Sequence, residues 1–267
     1  MQFIDSHTHL SYEPYQGKLG EVLARSRQAG VVGWILAGTN LEDSRRGIEL
    51  CGEFANMYCT VGIHPHEADA AEKGYLEELR KLAAAPCVRA IGEMGLDYHY
   101  DFSKRPAQQQ RFEEQLELAG ELGKPAVVHC REAFADGLAI LKNRRHAENP
   151  VVFHCFGGDR SEARVVLDLG CFISFTGTIT FRKAESVQTV AGYVPLERVL
   201  LETDCPYLSP EPKRNVRPNE PALLVHTAAK LAELRGVALE KIAQVTTHNC
   251  RFFFSMDDII EKESKPE

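Results

Sequence analysis

The chain has 267 residues, of which 44% are hydrophobic and 26% are charged, and its formal net charge is −7. This is an ordinary globular composition, and the acidic balance argues against a broad basic surface that grips duplex DNA. No apolar run approaches the roughly 18 residues of a membrane-spanning helix, and the N-terminus lacks the basic and apolar regions of a signal peptide.

Eight apolar runs of strand length follow one another along the chain. They are QFIDSH (2–7), VGWILAG (32–38), YCTVGIH (58–64), VRAIGEMG (88–95), PAVVHC (125–130), PVVFHC (150–155), CFISFTG (171–177) and RVLLETD (198–204). Helical patterns lie between most of these runs; examples are the segments 18–30, 75–85, 110–123 and 162–170. Several of these segments end at glycine, which is a common helix stop.

Strands that alternate with helices form a parallel sheet, and eight such units predict an α/β fold of the closed (β/α)₈ TIM-barrel type. A doubly wound open sheet is the alternative, but no G-x-G-x-x-G motif follows the first strand. We expect a single barrel domain over residues 1–260 and a charged, frayed tail over residues 261–267.

Metal-ligating side chains stand at the carboxyl ends of these predicted strands, where barrel enzymes place their active sites. They comprise four histidines and two carboxylates: His7, His9, Glu93, His129, His154 and Asp204. Residues i and i+2 of a strand share a face, so we expect Phe3 and Asp5 on the same side as His7 and His9. The strand segments before these residues are apolar, so the polar residues at their ends stand out. Random placement would not concentrate six such residues at one rim of the barrel.

Six ligands exceed the four that one tetrahedral cation needs, so two cations fit the set better. A carboxylate can bridge two cations, and Glu93 comes from a strand between the others. Two cations about 3.5–4 Å apart can polarise a phosphoryl oxygen and generate hydroxide. Two divalent cations and two carboxylates leave a local charge near +2, which would attract an anionic substrate to an acidic protein. Histidine-rich sets favour transition metals by affinity, and Zn²⁺ and Mn²⁺ are the candidates.

Three of the eight cysteines directly follow proposed ligands, namely Cys130, Cys155 and Cys205. A zinc–thiolate site is the alternative interpretation. Strand alternation opposes it, because neighbours on a strand point to opposite faces, and we therefore expect packed thiols outside the site. The chain also has no C-x-x-C pair. For a chain of this length without a secretory signal, we expect reduced cysteines and a cytoplasmic protein.

Taken together, the motifs resemble the TatD family of metal-dependent deoxyribonucleases, within the wider metal-dependent hydrolase barrels. The matching segments are DSHTHL (5–10), GIHPH (62–66), AIGEMGLDYH (90–99), VVHCREA (127–133), FHCFGG (153–158), LLETDCPYLSP (200–210), RPNEP (217–221) and THNCRFFF (247–254). Two departures are mild: Cys205 stands where serine is frequent, and the aromatic run near residue 253 replaces a more usual Leu-Phe.

The resemblance implies a ligand assignment. His7, His9, Glu93 and Asp204 would hold one cation, and Glu93, His129 and His154 the other, with Glu93 shared. It also implies a Mg²⁺-dependent nuclease that acts on DNA ends, mostly 3′ to 5′ on single strands. DNA is therefore the expected partner, and we expect no membrane association and no obligate protein partner.

Two other functions remain open from the sequence. One is amidohydrolase chemistry on a C–N bond or an ester of a small substrate. The wider superfamily often bridges its metals with a carboxylated lysine on strand 4, but the run 88–95 has no lysine, and Glu93 occupies that place. The other is a non-catalytic binding protein that keeps an inherited metal site, which a full ligand set disfavours.

Further residues are assigned supporting roles. Asp204 is expected to act as general base as well as ligand. His64 is expected to contact the substrate phosphate or leaving group, or else to be a structural loop histidine. Arg131 and Arg217 would clamp phosphate; the alternatives are an outer-rim ion pair for Arg131 and an ion pair with Glu220 or a neighbouring residue for Arg217.

Two buried carboxylates complete the set. Asp5 and Glu202 each lie two residues before a ligand, so they are expected on the inward side of their strands. There they would orient ligands or belong to an ordinary buried hydrogen-bond network.

Overall fold

The computed structural model describes residues 1–145 and 148–256. The tail predicted over residues 261–267 lies outside them. Eight strands form one parallel sheet in chain order: β1 (Phe3–Thr8), β2 (Val31–Leu36), β3 (Met57–Val61), β4 (Val88–Asp97), β5 (Ala126–Arg131), β6 (Val151–Phe153), β7 (Phe172–Phe175) and β8 (Val199–Leu201). The sheet closes between β8 and β1, where Asp204 N donates to His7 O and His9 N donates to Cys205 O. The predicted (β/α)₈ barrel is confirmed.

Helices surround the sheet. They are α1 (Leu19–Gln28), α2 (Leu41–Glu53), α3 (Tyr75–Leu82), α4 (Arg105–Glu121), α5 (Phe134–Arg144), α6 (Arg160–Asp168), α7 (Glu185–Tyr193), α8 (Leu224–Arg235) and α9 (Leu239–Phe253). The predicted helices are present, but α4 begins five residues before the predicted segment at 110, with Pro106 in its first turn, where a proline is tolerated. Asp159 caps the N-terminus of α6; its side chain accepts from Ser161 N and Glu162 N in a capping box.

The hydrophobic core has two parts. A large outer cluster fills the space between strands and helices, with Trp34 and Phe153 among its members. A smaller inner cluster contains Val127 and Val152 and includes Phe253 at the end of α9. The last turn of α9 thus fills the interior, and the polar residues lie beyond the opposite, carboxyl ends of the strands.

The alternation predicted for β1 does not hold along its whole length. Phe3 packs in the outer cluster and Ile4 in the inner one, whereas Phe3 was expected to share a face with His7. The pairing of β1 with β2 shifts register between Asp5 and Thr8. Such an irregularity changes which residues face each side, and it brings His7 to the inner rim.

Among the described residues, no helix combines the length and the apolar character needed to cross a membrane.

Candidate metal centre

The six predicted ligands lie together at the carboxyl ends of the strands, around the carboxylate of Glu93. Oxygens of Glu93 lie 2.7 Å from His154 Nε2, 3.0 Å from His129 Nδ1, 3.2 Å from His7 Nε2 and 3.9 Å from His9 Nε2. Asp204 Oδ1 lies 3.2 Å from His9 Nε2 and 3.9 Å from His7 Nε2. The structure therefore brings the whole set into one cluster.

Several polar atoms of this cluster are buried without a hydrogen bond. They are His7 Nε2, His9 Nδ1, Glu93 Oε2 and His154 Nδ1. Buried polar atoms nearly always have a hydrogen-bond partner in folded proteins. Four such atoms without one, close together, indicate a site that binds a ligand. Imidazole nitrogens and carboxylate oxygens are the donors that Zn²⁺ and Mn²⁺ take. The residues present thus fit divalent cations.

Three overlapping sets of ligand atoms in and beside the cluster are compact enough to hold a cation. They are His7, His9 and Asp204; His7, His154 and Glu202; and His64, Glu93 and His129, and within each set the ligand atoms lie within 4.8 Å of one another.

Opposite charges in the cluster shift its acid–base equilibria. Burial alone would raise the pKa of the Glu93 carboxyl, but the His154, His64 and His7 rings lower it well below its ordinary value. Burial alone would lower the pKa of His154, but the charges of Glu93 and Glu202 raise it well above the ordinary value. Glu93 is therefore ionised at neutral pH and supplies the central negative charge.

Glycines on β4 let the strand carry Glu93 close to its neighbours. Gly92 and Gly95 have φ of +145° and +138°, which other residues rarely adopt. A Cβ on Gly92 would lie 2.7 Å from Val127 O, and one on Gly95 would overlap the backbone of His129. Both positions therefore require glycine, and β4 passes directly against β5 on either side of Glu93.

The two carboxylates expected near the ligands differ in their roles. Glu202 Oε1 lies 3.4 Å from His154 Nδ1 and accepts from Cys155 N at 2.6 Å, so it can orient the His154 ring. Asp5 accepts from Thr203 N at 2.9 Å and from Thr203 Oγ1. Burial raises the pKa of Asp5 to about 8. It anchors the backbone next to Asp204, as part of a buried hydrogen-bond network.

Asp97 and His66 extend the cluster and were not identified from the sequence. Asp97 Oδ2 lies 2.9 Å from His129 Nε2 and 3.1 Å from His66 Nε2, so His129 stands between two carboxylates. The signal was present: Asp97 ends β4 four residues after Glu93 and therefore shares its face, and His66 follows His64 by two residues.

The three predicted substrate-binding residues occupy different positions. His64 Nε2 lies 3.3 Å from Glu93 Oε1, inside the cluster. Arg131 lines the cleft above it, with its guanidinium 4.9 Å from the centre of the Tyr100 ring. Arg217 also lines the cleft. Glu220, its proposed ion-pair partner, is instead bound by Arg25 at 2.8 Å.

A cleft of about 1260 Å³ opens over the cluster. Arginines and exposed aromatic side chains line it: Arg131, Arg214, Arg217, Tyr100, Phe102 and Tyr207. The Tyr100 and Phe102 rings stack with their centres 5.2 Å apart. Cations combined with aromatic faces are typical of surfaces that bind single-stranded nucleic acid. The aromatic residues at this mouth were not identified from the sequence, because they lie on loops without a regular spacing.

The cysteine prediction holds for two of the three positions. Cys205 is fully buried, and Cys130 Sγ faces Gly137 of α5, although Cys130 also borders the cleft. Cys155 differs because β6 ends at Phe153, so strand alternation no longer applies, and Cys155 adopts φ +44° and lines the cleft. Its Sγ lies 3.5 Å from Thr176 Oγ1.

Replacement of Cys155 by serine is expected to leave metal content and turnover unchanged. Burial, with the charges of Asp204 and Glu202, raises the pKa of the Cys155 thiol well above its ordinary value, and only the thiolate is a good metal ligand. Metal analysis and hydrolysis rates of Cys155→Ser, beside Cys171→Ser as a buried control, measure this. A folded Cys155→Ser protein that has lost its metal would contradict the expectation.

Comparison with known proteins gives a consistent result. The sequence profile of the family described as TatD related DNase matches residues 4–255. An uncharacterized metal-dependent hydrolase, YcfH of Escherichia coli K12, is 41% identical over 261 residues, covering 96% of this chain and 97% of the relative. The 3′-5′ ssDNA/RNA exonuclease TatD of Edwardsiella piscicida is 38% identical over 258 residues, covering 95% and 99%. Among solved structures, the TatD homolog YJJV of Escherichia coli K12 superposes with a TM-score of 0.90 at 31% identity, covering 95% and 98%.

Proposed function

The chain belongs to the family of TatD-related DNases, and from that premise we propose that it hydrolyses phosphodiester bonds of DNA as a 3′–5′ exonuclease with two divalent cations. The observation that carries the proposal is the cluster around Glu93, in which buried imidazole and carboxylate atoms lack hydrogen bonds beneath a cleft lined by arginines and aromatic rings. The clustered imidazole and carboxylate groups can bind metal ions, and the cleft above them can accommodate a nucleic acid strand.

The proposed ligand assignment is supported by the compact set of His7, His9 and Asp204 and by the position of Glu93, whose Oε1 lies 2.7 Å from His154 Nε2 and 3.0 Å from His129 Nδ1. His7, His9 and Asp204 would hold one cation, His129 and His154 the other, and Glu93 would serve both. His64 lies close enough to Glu93 and His129 to share in holding the second cation. Mg²⁺ is proposed for activity, with Zn²⁺ and Mn²⁺ as alternatives. Bound cations supply Lewis acidity that polarises the scissile phosphate.

Asp204 is proposed as the general base. Its side chain is 14% exposed, against 2% for Glu93, so it is the more exposed of these two carboxylates that line the cleft. Burial alone would raise the pKa of Asp204, but the hydrogen bond from His9 lowers it. The carboxylate is therefore ionised at neutral pH and can accept a proton from an attacking water molecule.

Arginines and aromatic rings of the cleft are proposed to hold the strand. Arg131 and Arg217 would bind backbone phosphates, and Tyr100, Phe102 and Tyr207 offer faces on which bases can stack. All five side chains line the same cleft as the metal ligands, so a strand held by them would present its end to Glu93 and Asp204.

Replacement of Phe102 by alanine is expected to raise KM for a single-stranded oligonucleotide by about 5- to 150-fold, because base stacking contributes about 1–3 kcal/mol per base. Turnover of a small phosphodiester without a base should be unchanged. The control is Phe252→Ala, which removes an equally exposed phenylalanine from α9. An unchanged KM for the oligonucleotide in Phe102→Ala would show that this ring does not bind the strand.

A hydrolysis screen tests the reaction class. The purified protein is assayed with bis(4-nitrophenyl) phosphate, a 4-nitrophenyl carboxyl ester and a 4-nitroanilide, each with Mg²⁺, Mn²⁺ or Zn²⁺ and with EDTA. Metal-dependent cleavage of the phosphodiester in preference to the others supports the proposal. Preferential cleavage of the amide or carboxyl ester would favour the amidohydrolase alternative, and no cleavage of any substrate would favour a binding protein.

A further inference from the structure

Three cysteine thiols meet on the outer side of the barrel wall. Cys51 belongs to α2, Cys59 to β3, and Cys87 directly precedes β4. Their Sγ atoms all lie within 4.8 Å of one another. Cys59 is buried, whereas Cys51 and Cys87 are partly exposed. A small cation in solvent therefore has access to a triangle of sulfur atoms.

This thiol cluster is separate from the metal centre. Cys59 packs in the outer hydrophobic cluster and faces α2, where a Cβ on Gly47 would lie 3.4 Å from Cys59 Cβ. His64, which lies at the rim, follows Cys59 by five residues, a distance of roughly 16 Å along extended chain. The thiol cluster also shares no residue with the ligand sets around Glu93.

We propose that Cys51, Cys59 and Cys87 form a second metal site, which binds one thiophilic cation, Zn²⁺, through three sulfur ligands. Thiolates are soft ligands and select Zn²⁺ over Mg²⁺. Zinc–sulfur bonds of about 2.3 Å at tetrahedral angles place sulfurs about 3.8 Å apart. The observed sulfurs are at most 4.8 Å apart, about 1 Å more than that separation, so small side-chain rotations would bring them onto one cation. The partial exposure of Cys51 and Cys87 leaves the fourth position to water.

Two cations lie near the thiol cluster, and its three thiols differ in acidity. Hydrogen bonds from Cys51 and Cys59, together with the charge of Arg89, lower the pKa of the Cys87 thiol, whereas hydrogen bonds among the thiols and burial raise the pKa values of Cys59 and Cys51. Zn²⁺ would therefore bind first to the Cys87 thiolate, and its binding would release the protons of the other two thiols. Lys124 also interacts electrostatically with Cys59 and Cys87, and its Nζ donates to Val88 O at 2.7 Å. Three thiolates and Zn²⁺ carry a net charge of −1, which these two neighbouring cations offset.

Such a site would stabilise the fold and would leave the reaction untouched. It would join α2 to β3 and to the start of β4, which are separate segments of the chain. A cation that binds the folded chain in preference to the unfolded chain raises its stability. We therefore expect Zn²⁺ to raise the melting temperature through this site, while hydrolysis at the rim proceeds at the wild-type rate when Cys87 is replaced by serine.

Cobalt(II) provides a probe that separates this site from the metal centre. Co²⁺ occupies tetrahedral zinc sites, and thiolate ligands give it an intense sulfur-to-metal charge-transfer absorption in the near ultraviolet, which histidine and carboxylate ligands do not give. Titration of the reduced protein with Co²⁺ should develop this band to saturation. Zn²⁺ should then remove the band, and an excess of Mg²⁺ should leave it.

Single serine variants locate the site. Cys51→Ser and Cys87→Ser should lose most of the band; both positions are partly exposed, so folding is expected to survive, and thermal melting checks it. Cys155→Ser is the matched control, because it removes the thiol that lines the cleft over the metal centre. Absence of the band in the reduced wild-type protein would overturn the proposal, as would a band that persists in Cys87→Ser and disappears in Cys155→Ser. Neither readout depends on catalysis, so the outcome is independent of the proposed function.

Discussion

Replacement of Glu93 by alanine is expected to reduce hydrolysis of single-stranded DNA by about 10³-fold or more. The Glu93 carboxylate lies within 3.3 Å of nitrogens of four histidines, namely His154, His129, His7 and His64. If it serves two cations, its removal weakens both sites, and metal ions commonly contribute several kcal/mol to such reactions. Single-turnover rates at saturating metal, together with the metal content of the folded variant, measure the effect.

Two further variants test whether the loss of activity is specific to the negative charge of Glu93. Glu93→Gln retains the size of the side chain and removes the charge, so it should show a similar loss if the charge binds metal. Glu132→Ala removes an exposed glutamate that lines the same cleft and pairs with His99, and it should retain nearly full activity. Near wild-type rates in a folded, metal-saturated Glu93→Ala protein would contradict the assignment of Glu93 as a shared ligand.

Replacement of Asp204 by asparagine is expected to lower kcat by about 10²–10⁴-fold, the usual contribution of a general base. Asparagine retains an oxygen that can bind metal weakly, but its amide cannot accept the proton. KM for the oligonucleotide should change little, because the arginines and aromatic rings of the cleft are intact. Steady-state kinetics across a metal titration measure both constants.

The metal titration separates the two roles of Asp204. If the residue acts only as a ligand, a high metal concentration should restore the kcat of Asp204→Asn. If it is also the base, kcat should remain low when the bound metal matches that of the wild type. Full kcat at equal metal occupancy would place the base elsewhere, and His64, which lies 3.3 Å from Glu93, would be the next residue to replace.

The fold was predictable because its signal is local and repeated. Eight apolar runs alternate with helical patterns, and the closed parallel sheet follows from their number and order. The position of the ligands followed from the same rule, since His129 and His154 stand at or just beyond the ends of β5 and β6 and alternate with buried apolar residues. The structure brings all six together, and their role as metal ligands stays a prediction.

The features that the sequence did not predict depend on irregular backbone or on tertiary contacts. The position of His7 at the rim was predicted, but the register shift in β1 that places Phe3 on a different face from His7 was not, because simple alternation cannot anticipate it. The early end of β6 places Cys155 in the cleft. The three thiols of the cluster come together because α2 packs over β3. Their positions in the sequence follow no regular spacing from which this contact could have been predicted.

Degradation of a 3′-end-labelled single-stranded oligonucleotide is the most direct test of the proposed metal-dependent hydrolysis of DNA. It is followed with EDTA, with Mg²⁺ and with Mn²⁺, beside the same oligonucleotide labelled at the 5′ end and a duplex of equal length. We expect no cleavage in EDTA and, with metal, immediate release of the 3′ label as a mononucleotide, while the 5′-labelled strand shortens progressively. Intact oligonucleotide in every metal, with wild-type protein that binds metal and is folded, would contradict the proposal.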